Sequence, residues 1–241
     1  MKTPMPAVAI TTSILLLVGC ASDDSAHTDG DIASLPAATV LEKSLAALKA
    51  VPSYKVEIHT NSTSGQASTT LAVVGTDLRG SVTRAGATSE VLKVGTNRYI
   101  RPDEAFWSTM LDKPKQAHAY TVAAHGRWIK VRADDDLLET GGLEGAFTFA
   151  ARNALDSAVP QQASLGERKD VGGVPTITVL DSRNDRTQIS VATTGEPYPV
   201  RWDFGLGAVA TFTDFGAPAD TIEEPAPTDV VDISTVLGSA K

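Results

Sequence analysis

The residues able to do chemistry are few: one cysteine, Cys20, and four histidines in a chain of 241 residues. A lone thiol makes no intramolecular disulfide, so Cys20 is either inert or an attachment point. His118 and His125 stand in a polar, loop-like stretch with no acid or cysteine set beside them to complete a metal site. His27 lies in a polar segment and His59 on the polar side of a strand-like run, so both are read as solvent-facing. Asp134-Asp135-Asp136 lacks the spacing of a calcium loop and suits the start of a short helix, whose dipole favours acids. Gly205-Leu206-Gly207-Ala208-Val209-Ala210 spells G-x-G-x-x-A but opens no helix, which makes it a hairpin turn rather than a dinucleotide site. The sequence contains no G-x-S-x-G, H-E-x-x-H or G-x-x-x-x-G-K-[ST]. The chain is therefore expected not to be an enzyme, and to use no metal and no cofactor.

The surroundings of Cys20 are informative. Met1-Lys2 is a weakly positive start, and Ala7 to Val18 is apolar apart from Thr11, Thr12 and Ser13. That run is too short to span a bilayer and fits the hydrophobic region of a secretory signal. Leu17-Val18-Gly19-Cys20 resembles the lipobox of bacterial lipoproteins, in which the thiol receives a diacylglycerol group. The resemblance implies a signal peptide over 1–19, palmitate-type lipidation at Cys20, and attachment to the extracytoplasmic face of the cell membrane. One acyl chain anchors marginally, at ~0.8 kcal/mol per buried methylene, whereas two hold a protein stably.

Charge agrees with such an address. The formal charge is −8, and loss of Lys2 with the signal would make it −9. An acidic chain has no electrostatic footprint for nucleic acid and no attraction to anionic head groups. The expected partners are the membrane, through the Cys20 lipid, and a lipid or acylated ligand; a monomer is expected. Hydrophobic residues reach 42% but aromatics only 5%, so much of the apolar content is small. Small residues either pack tightly or line a hollow.

The elements follow from periodicity. Residues 20–36 are polar, contain Gly30 and Pro36, and read as a flexible tether. Leu41, Leu45 and Leu48 recur at helical spacing between Pro36 and Pro52, which predicts a helix over 37–51. Tyr54, Val56 and Ile58 then alternate with Lys55, Glu57 and His59. Strand-like runs follow at 66–75, 78–84, 88–94 and 97–101, and again at 127–132, 174–181, 186–193, 198–204 and 208–215. Together they predict roughly ten strands in an antiparallel meander. A second helix is predicted over 143–159, where Phe147, Ala150, Ala151, Ala154, Leu155, Ala158 and Val159 share a stripe and Pro160 ends it. Within 103–126, "DEAFWSTML" reads as a short helix and the rest as loop.

Several segments carry a family likeness. "ISVATTGEPYPVRWDF" (189–204), "ATFTDFGAPADTIEEPAPTDVVDIS" (210–234), "RWIKVRADD" (127–135) and "AFWSTM" (105–110) resemble actinobacterial cell-envelope lipoproteins of the LolA-like, or LppX/LprG-like, fold. Phe215 stands where relatives often carry Tyr, and Pro225-Ala226-Pro227 where they tend to have adjacent prolines. The resemblance implies an α+β architecture over 37–236. Its sheet would be strongly curved and antiparallel, an unclosed barrel, with helices covering the concave face. It also implies acyl chains held between sheet and helices, and a role in carrying lipids or lipoproteins across the envelope. Alternation then selects Val56, Ile58, Leu71 and Val73 from strands, facing Leu45, Leu48, Phe147, Ala154 and Leu155 from helices, as the ligand-binding set. The alternative is an interaction or sensor lipoprotein of the same fold with a filled core.

Overall fold

The computed structural model describes residues 31–62, 65–110, 114–149, 162–181, 187–205 and 207–238. Cys20, Ala154 and Leu155 lie outside the described residues, as does most of the predicted 143–159 helix.

Helix α1 (Ala37–Ala50) starts directly after Pro36 and ends where Val51 turns extended, so the two prolines bound it as the sequence predicts. It buries Val40, Leu41, Ser44 and Leu48 along one stripe. Strands β1 (Ser53–Ser62), β2 (Gly65–Val74), β3 (Asp77–Arg84), β4 (Ala87–Val94) and β5 (Asn97–Pro102) form the expected meander. Its short turns place Gly75, Gly86 and Gly95 at positive φ, where a side chain would be strained. Helix α2 (Glu104–Met110) is capped by Asp103, whose carboxylate accepts from Phe106 N at 2.6 Å and from Thr88 N at 3.0 Å. One side chain thus starts the helix and ties it to β4.

Helix α3 (Pro114–Ala124) corrects the expected loop. Its apolar stripe is Ala117, Tyr120 and Ala124, too small and sparse to register as periodic, and Pro114 sits at its first turn. Trp107 and Tyr120 pack ring to ring at 5.2 Å, fixing α3 against α2. After β6 (Trp128–Val131), Asp135 precedes α4 (Asp136–Thr140), the short acidic-start helix expected there. Helix α5 (Glu144–Phe149) covers the described beginning of the predicted 143–159 helix.

The remaining strands are β7 (Ala163–Val171), β8 (Val174–Asp181), β9 (Gln188–Ala192), β10 (Pro199–Gly205), β11 (Ala208–Thr213) and β12 (Val230–Asp232), before α6 (Ile233–Gly238). Gly205 pairs with Ala208 across the hairpin read from the glycine pattern. Twelve strands form one sheet in the order β12-β6-β5-β4-β3-β2-β1-β11-β10-β9-β8-β7. The sheet is curved and unclosed. Two strands escaped the sequence reading. β7 is an edge strand with Glu167-Arg168-Lys169-Asp170 exposed, a charge run that discourages further pairing and hides the strand pattern. β12 has three residues and pairs with β6 in parallel, so the sheet is mixed at this one pair instead of antiparallel throughout.

Inward positions run in rows across the sheet. Val56 pairs with Leu71, Leu71 with Gly80, Gly80 with Val91, Val91 with Ile100 and Ile100 with Ile129. The side chains of this row, Val56, Leu71, Val91, Ile100 and Ile129, join Val40, Leu41 and Leu48 of α1, Phe106 and Trp107 of α2, and Phe147 of α5 in one buried cluster. The helices therefore share one face of the sheet. The opposite face carries a small cluster of Leu92, Tyr99 and Trp128, packed with Ile222 and Val230 of the C-terminal segment. There Asn97 bonds Glu224, and Arg101 lies over the Trp128 ring at 4.6 Å. Burial, then the Glu224 charge, pushes the Tyr99 phenol above its usual pKa. At the other end of the described chain, Asp31 accepts from Ala33 N and pairs with Arg168 of β7, which lowers its carboxyl pKa. Ile32 and Leu35 behind it pack on the core.

Candidate functional site

The helix-covered face is not uniformly sealed. Val56, Leu71 and Val73 are fully buried, and Leu48 and Phe147 expose only 1% of their surface. These five predicted residues are brought together in solid packing. Arg98 reinforces α5 there, pairing with Glu144 at 2.9 Å and lying 5.4 Å from the Phe147 ring centre. Leu45 and Ile58, in contrast, are only partly buried. Ala154 and Leu155 cannot be placed, being outside the described residues.

Ile58 marks where the face changes character. Its neighbours across the ladder are Thr69 on β2 and Ala210 on β11, and Ala210 in turn pairs with Trp202 on β10. Small side chains on both sides of Ile58 leave the sheet surface recessed. Trp202 is fully buried and stacks at 5.0 Å on Phe204, which is half-buried. Thr69, Ala208 and Ala163 at the same end are also half-buried. An apolar surface thus runs from Ile58 to Phe204, with Leu45 of α1 in the same partly buried set, on the side where the helices pack.

Two polar atoms accompany this surface. Ser44 Oγ on α1 and Trp202 Nε1 on β10 are buried and find no hydrogen-bond partner among the described residues. Each orphaned atom costs ~1–3 kcal/mol of desolvation, a cost that a bound polar group or water would remove. Neither the sequence periodicity nor the residue types announce them; Trp202 and Phe204 were visible only as strand residues.

The titratable groups of the described residues build no reactive constellation here. Among them His118 meets Glu104, at 3.4 Å, and His59 lies 3.9 Å from Glu57 on the exposed face. Among the described residues no group of three His, Cys, Asp or Glu side chains converges. No helix of these residues is long and apolar enough to cross a membrane.

No family model and no curated protein matches the sequence. Solved structures do match the fold. LprF from Mycobacterium bovis aligns over 79% of this chain and 97% of its own, at 16% identity and a TM-score of 0.50. The lipoprotein LppX of Mycobacterium tuberculosis aligns over 78% and 98%, at 15% identity and a TM-score of 0.47. An uncharacterized conserved protein of Thermus thermophilus aligns over 81% and 98%, at 7% identity and 0.41. At its identity the likeness to LprF establishes the fold alone, the LppX/LprG-like fold expected from the sequence.

Proposed function

We propose that this chain, with its LppX/LprG-like fold, is a membrane-anchored envelope lipoprotein that binds or carries a lipid or acylated ligand between sheet and helices. The signal peptide would be 1–19, the lipidated residue Cys20, the tether 20–36 and the ligand-binding domain 37–236. The observation that carries the reading is the half-buried apolar surface from Ile58 to Phe204 on the face that carries the buried core. A hydrocarbon chain leaving a membrane loses ~0.8 kcal/mol for each methylene exposed to water, so a carrier must offer an equally dry enclosure. The 143–159 segment, through Ala154 and Leu155, would close a cavity of at least ~300 Å³ over this surface, the lower bound for ligand pockets.

Thr69 is the probe for it. Thr69 is half-buried beside Ile58, and Thr69→Trp would project into the recess. The expected outcome is at least a tenfold loss of fluorescent fatty-acyl binding with a melting point within ~3 °C of the parent. The filled-core alternative draws on the tight packing around Val56 and Leu71. It requires the reverse: no acyl binding by the parent, and overpacking by Trp costing ~1–3 kcal/mol.

The anchor has its own test. Cys20→Ser is expected to abolish palmitate incorporation and move the protein from the membrane to the soluble fraction. Tight membrane association of the serine variant would refute the anchor without touching the cavity.

A further inference from the structure

We propose that the sheet carries a second apolar site on the face away from the helices, which takes a single hydrocarbon chain bearing a cationic head group. The β7–β8 hairpin, the β9–β10 turn and the end of β11 enclose a cleft of about 420 Å³ there. Its walls are mainly Val171, Val174, Ala192, Val200, Tyr198 and Phe215. Strand register fixes which side of the sheet it occupies. Thr211 and Thr213, which also line it, pair with Glu57 and Lys55, the residues flanking inward-facing Val56. Ala192 pairs with Thr176, one step from the inward pair Ile177 and Val191. Thr211, Thr213 and Ala192 therefore point opposite to Val56, Trp202 and the helices, while Tyr198 before β10 and Phe215 after β11 complete the cleft beyond the paired positions and also pack on the core. The cleft is separate from the Ile58–Phe204 surface.

Its chemistry selects the occupant. Valine and alanine side chains form much of the lining, and the Tyr198 and Phe215 rings stack at 4.2 Å with an interplanar angle of 8°, giving a flat apolar wall. A polar ligand would lose its hydration against such surfaces with little in return. A hydrocarbon chain gains roughly fourfold in affinity with each methylene buried. The volume exceeds the ~300 Å³ at which ligand pockets begin. Two carboxylates stand at the mouth, Glu196 and Asp214. Lys55 engages Asp214 at 2.8 Å, whereas no salt bridge to Glu196 is found among the described residues. Glu196 is exposed on the β9–β10 turn, and its charge joins burial in raising the Tyr198 phenol pKa. A head group held here meets a net negative field, which favours a cation over a neutral group by roughly fivefold, and over an anion by roughly thirtyfold, if it sits about 4 Å from the carboxylate in a water-like dielectric.

The test uses the full chain carrying Cys20→Ser, which avoids detergent, titrated with alkyltrimethylammonium ions of eight to twelve carbons and with dodecanoate, all below micellar concentrations. Methyl NMR shifts locate binding. Saturable shifts at Val171, Val174 and Ala192 are expected with dodecyltrimethylammonium, strengthening with chain length, and roughly thirtyfold weaker with dodecanoate. Glu196→Gln should remove that preference. Thr211→Trp and Thr213→Phe fill the cleft from positions that strands tolerate, and each should abolish these shifts. Equal affinity for cation and anion would overturn the head-group assignment. Shifts confined to Ile58 and Leu45, or no saturable shift at Val171 and Val174, would overturn the site itself. Binding at Ile58 reports on the helix-covered surface independently, so failure of one site leaves the other standing.

Discussion

Gly80→Ala is expected to lower the melting temperature by roughly 5–10 °C, a large effect for one methyl group. Gly80 lies mid-row between Leu71 and Val91, where every other inward position carries a side chain. A Cβ built there would stand 1.9 Å from the Thr70 carbonyl oxygen and 2.9 Å from both Leu71 Cα and Leu71 Cδ2. Two of those atoms are backbone of the neighbouring strand, so no rotamer change relieves the clash. β2 and β3 must separate locally, and overpacking of this kind costs ~1–3 kcal/mol or more. At ~2–4 °C per kcal/mol for a domain of this size, calorimetry resolves the change easily. Leu71→Ala combined with Gly80→Ala should cost less than the sum of the two single changes, because it frees the space that Leu71 Cδ2 occupies. A Gly80→Ala melting point within ~2 °C of the parent would mean that the strands do not approach so closely.

Gly80 also illustrates what a sequence conceals. The β2–β5 meander was legible because Val, Leu and Ile alternate with polar residues between two-residue turns. A glycine inside a strand packs nothing of its own, and at Gly80 Leu71 from the neighbouring strand fills the space above it. Helix α1 was legible from three leucines and two prolines. Helix α3 was not, since Ala117 and Ala124 bury a face without hydrophobic bulk. β7 was hidden by the charges that protect a sheet edge, and β12 by having only three residues.

The candidate site was half legible for a related reason. Alternation correctly assigns Val56, Ile58, Leu71 and Val73 to one face, but a period of two cannot say which inward residue is packed and which adjoins open space. That depends on the partner strand: Ile58 is less buried than Val56 because its neighbours are Thr69 and Ala210, where Val56 has Leu71 and Phe212. Those partners are more than ten positions away in sequence, and the β1–β11 pairing joins the two ends of the domain. The Trp202–Phe204 stack belongs to the same distant half, so those residues entered only within a segment of family likeness and nothing marked them as site.

Trp202→Ala should be the most damaging single change in that half, costing ~3–5 kcal/mol, as removal of a fully buried tryptophan does. Trp202→Phe should be far milder, at about 1 kcal/mol. It loses part of the ring but also removes Nε1, an orphaned donor whose burial costs ~1–3 kcal/mol. The contrast tests whether that donor is unmatched in the free protein: equal losses for Phe and Ala would show that Nε1 is bonded. The alanine variant then probes the cavity. Trp202 neighbours Ala210, which neighbours Ile58, so removing the indole should extend the recess along the sheet. An acyl ligand that binds the folded protein at a hundredfold excess over its dissociation constant adds ~2.7 kcal/mol, enough to restore much of the lost stability. Thermal melts of parent and Trp202→Ala with and without monoacylglycerol decide the matter. Ligand protection of both supports an enclosure continuous from Ile58 to β10, whereas protection of the alanine variant alone would show a filled core that accepts lipid only where a side chain has been removed.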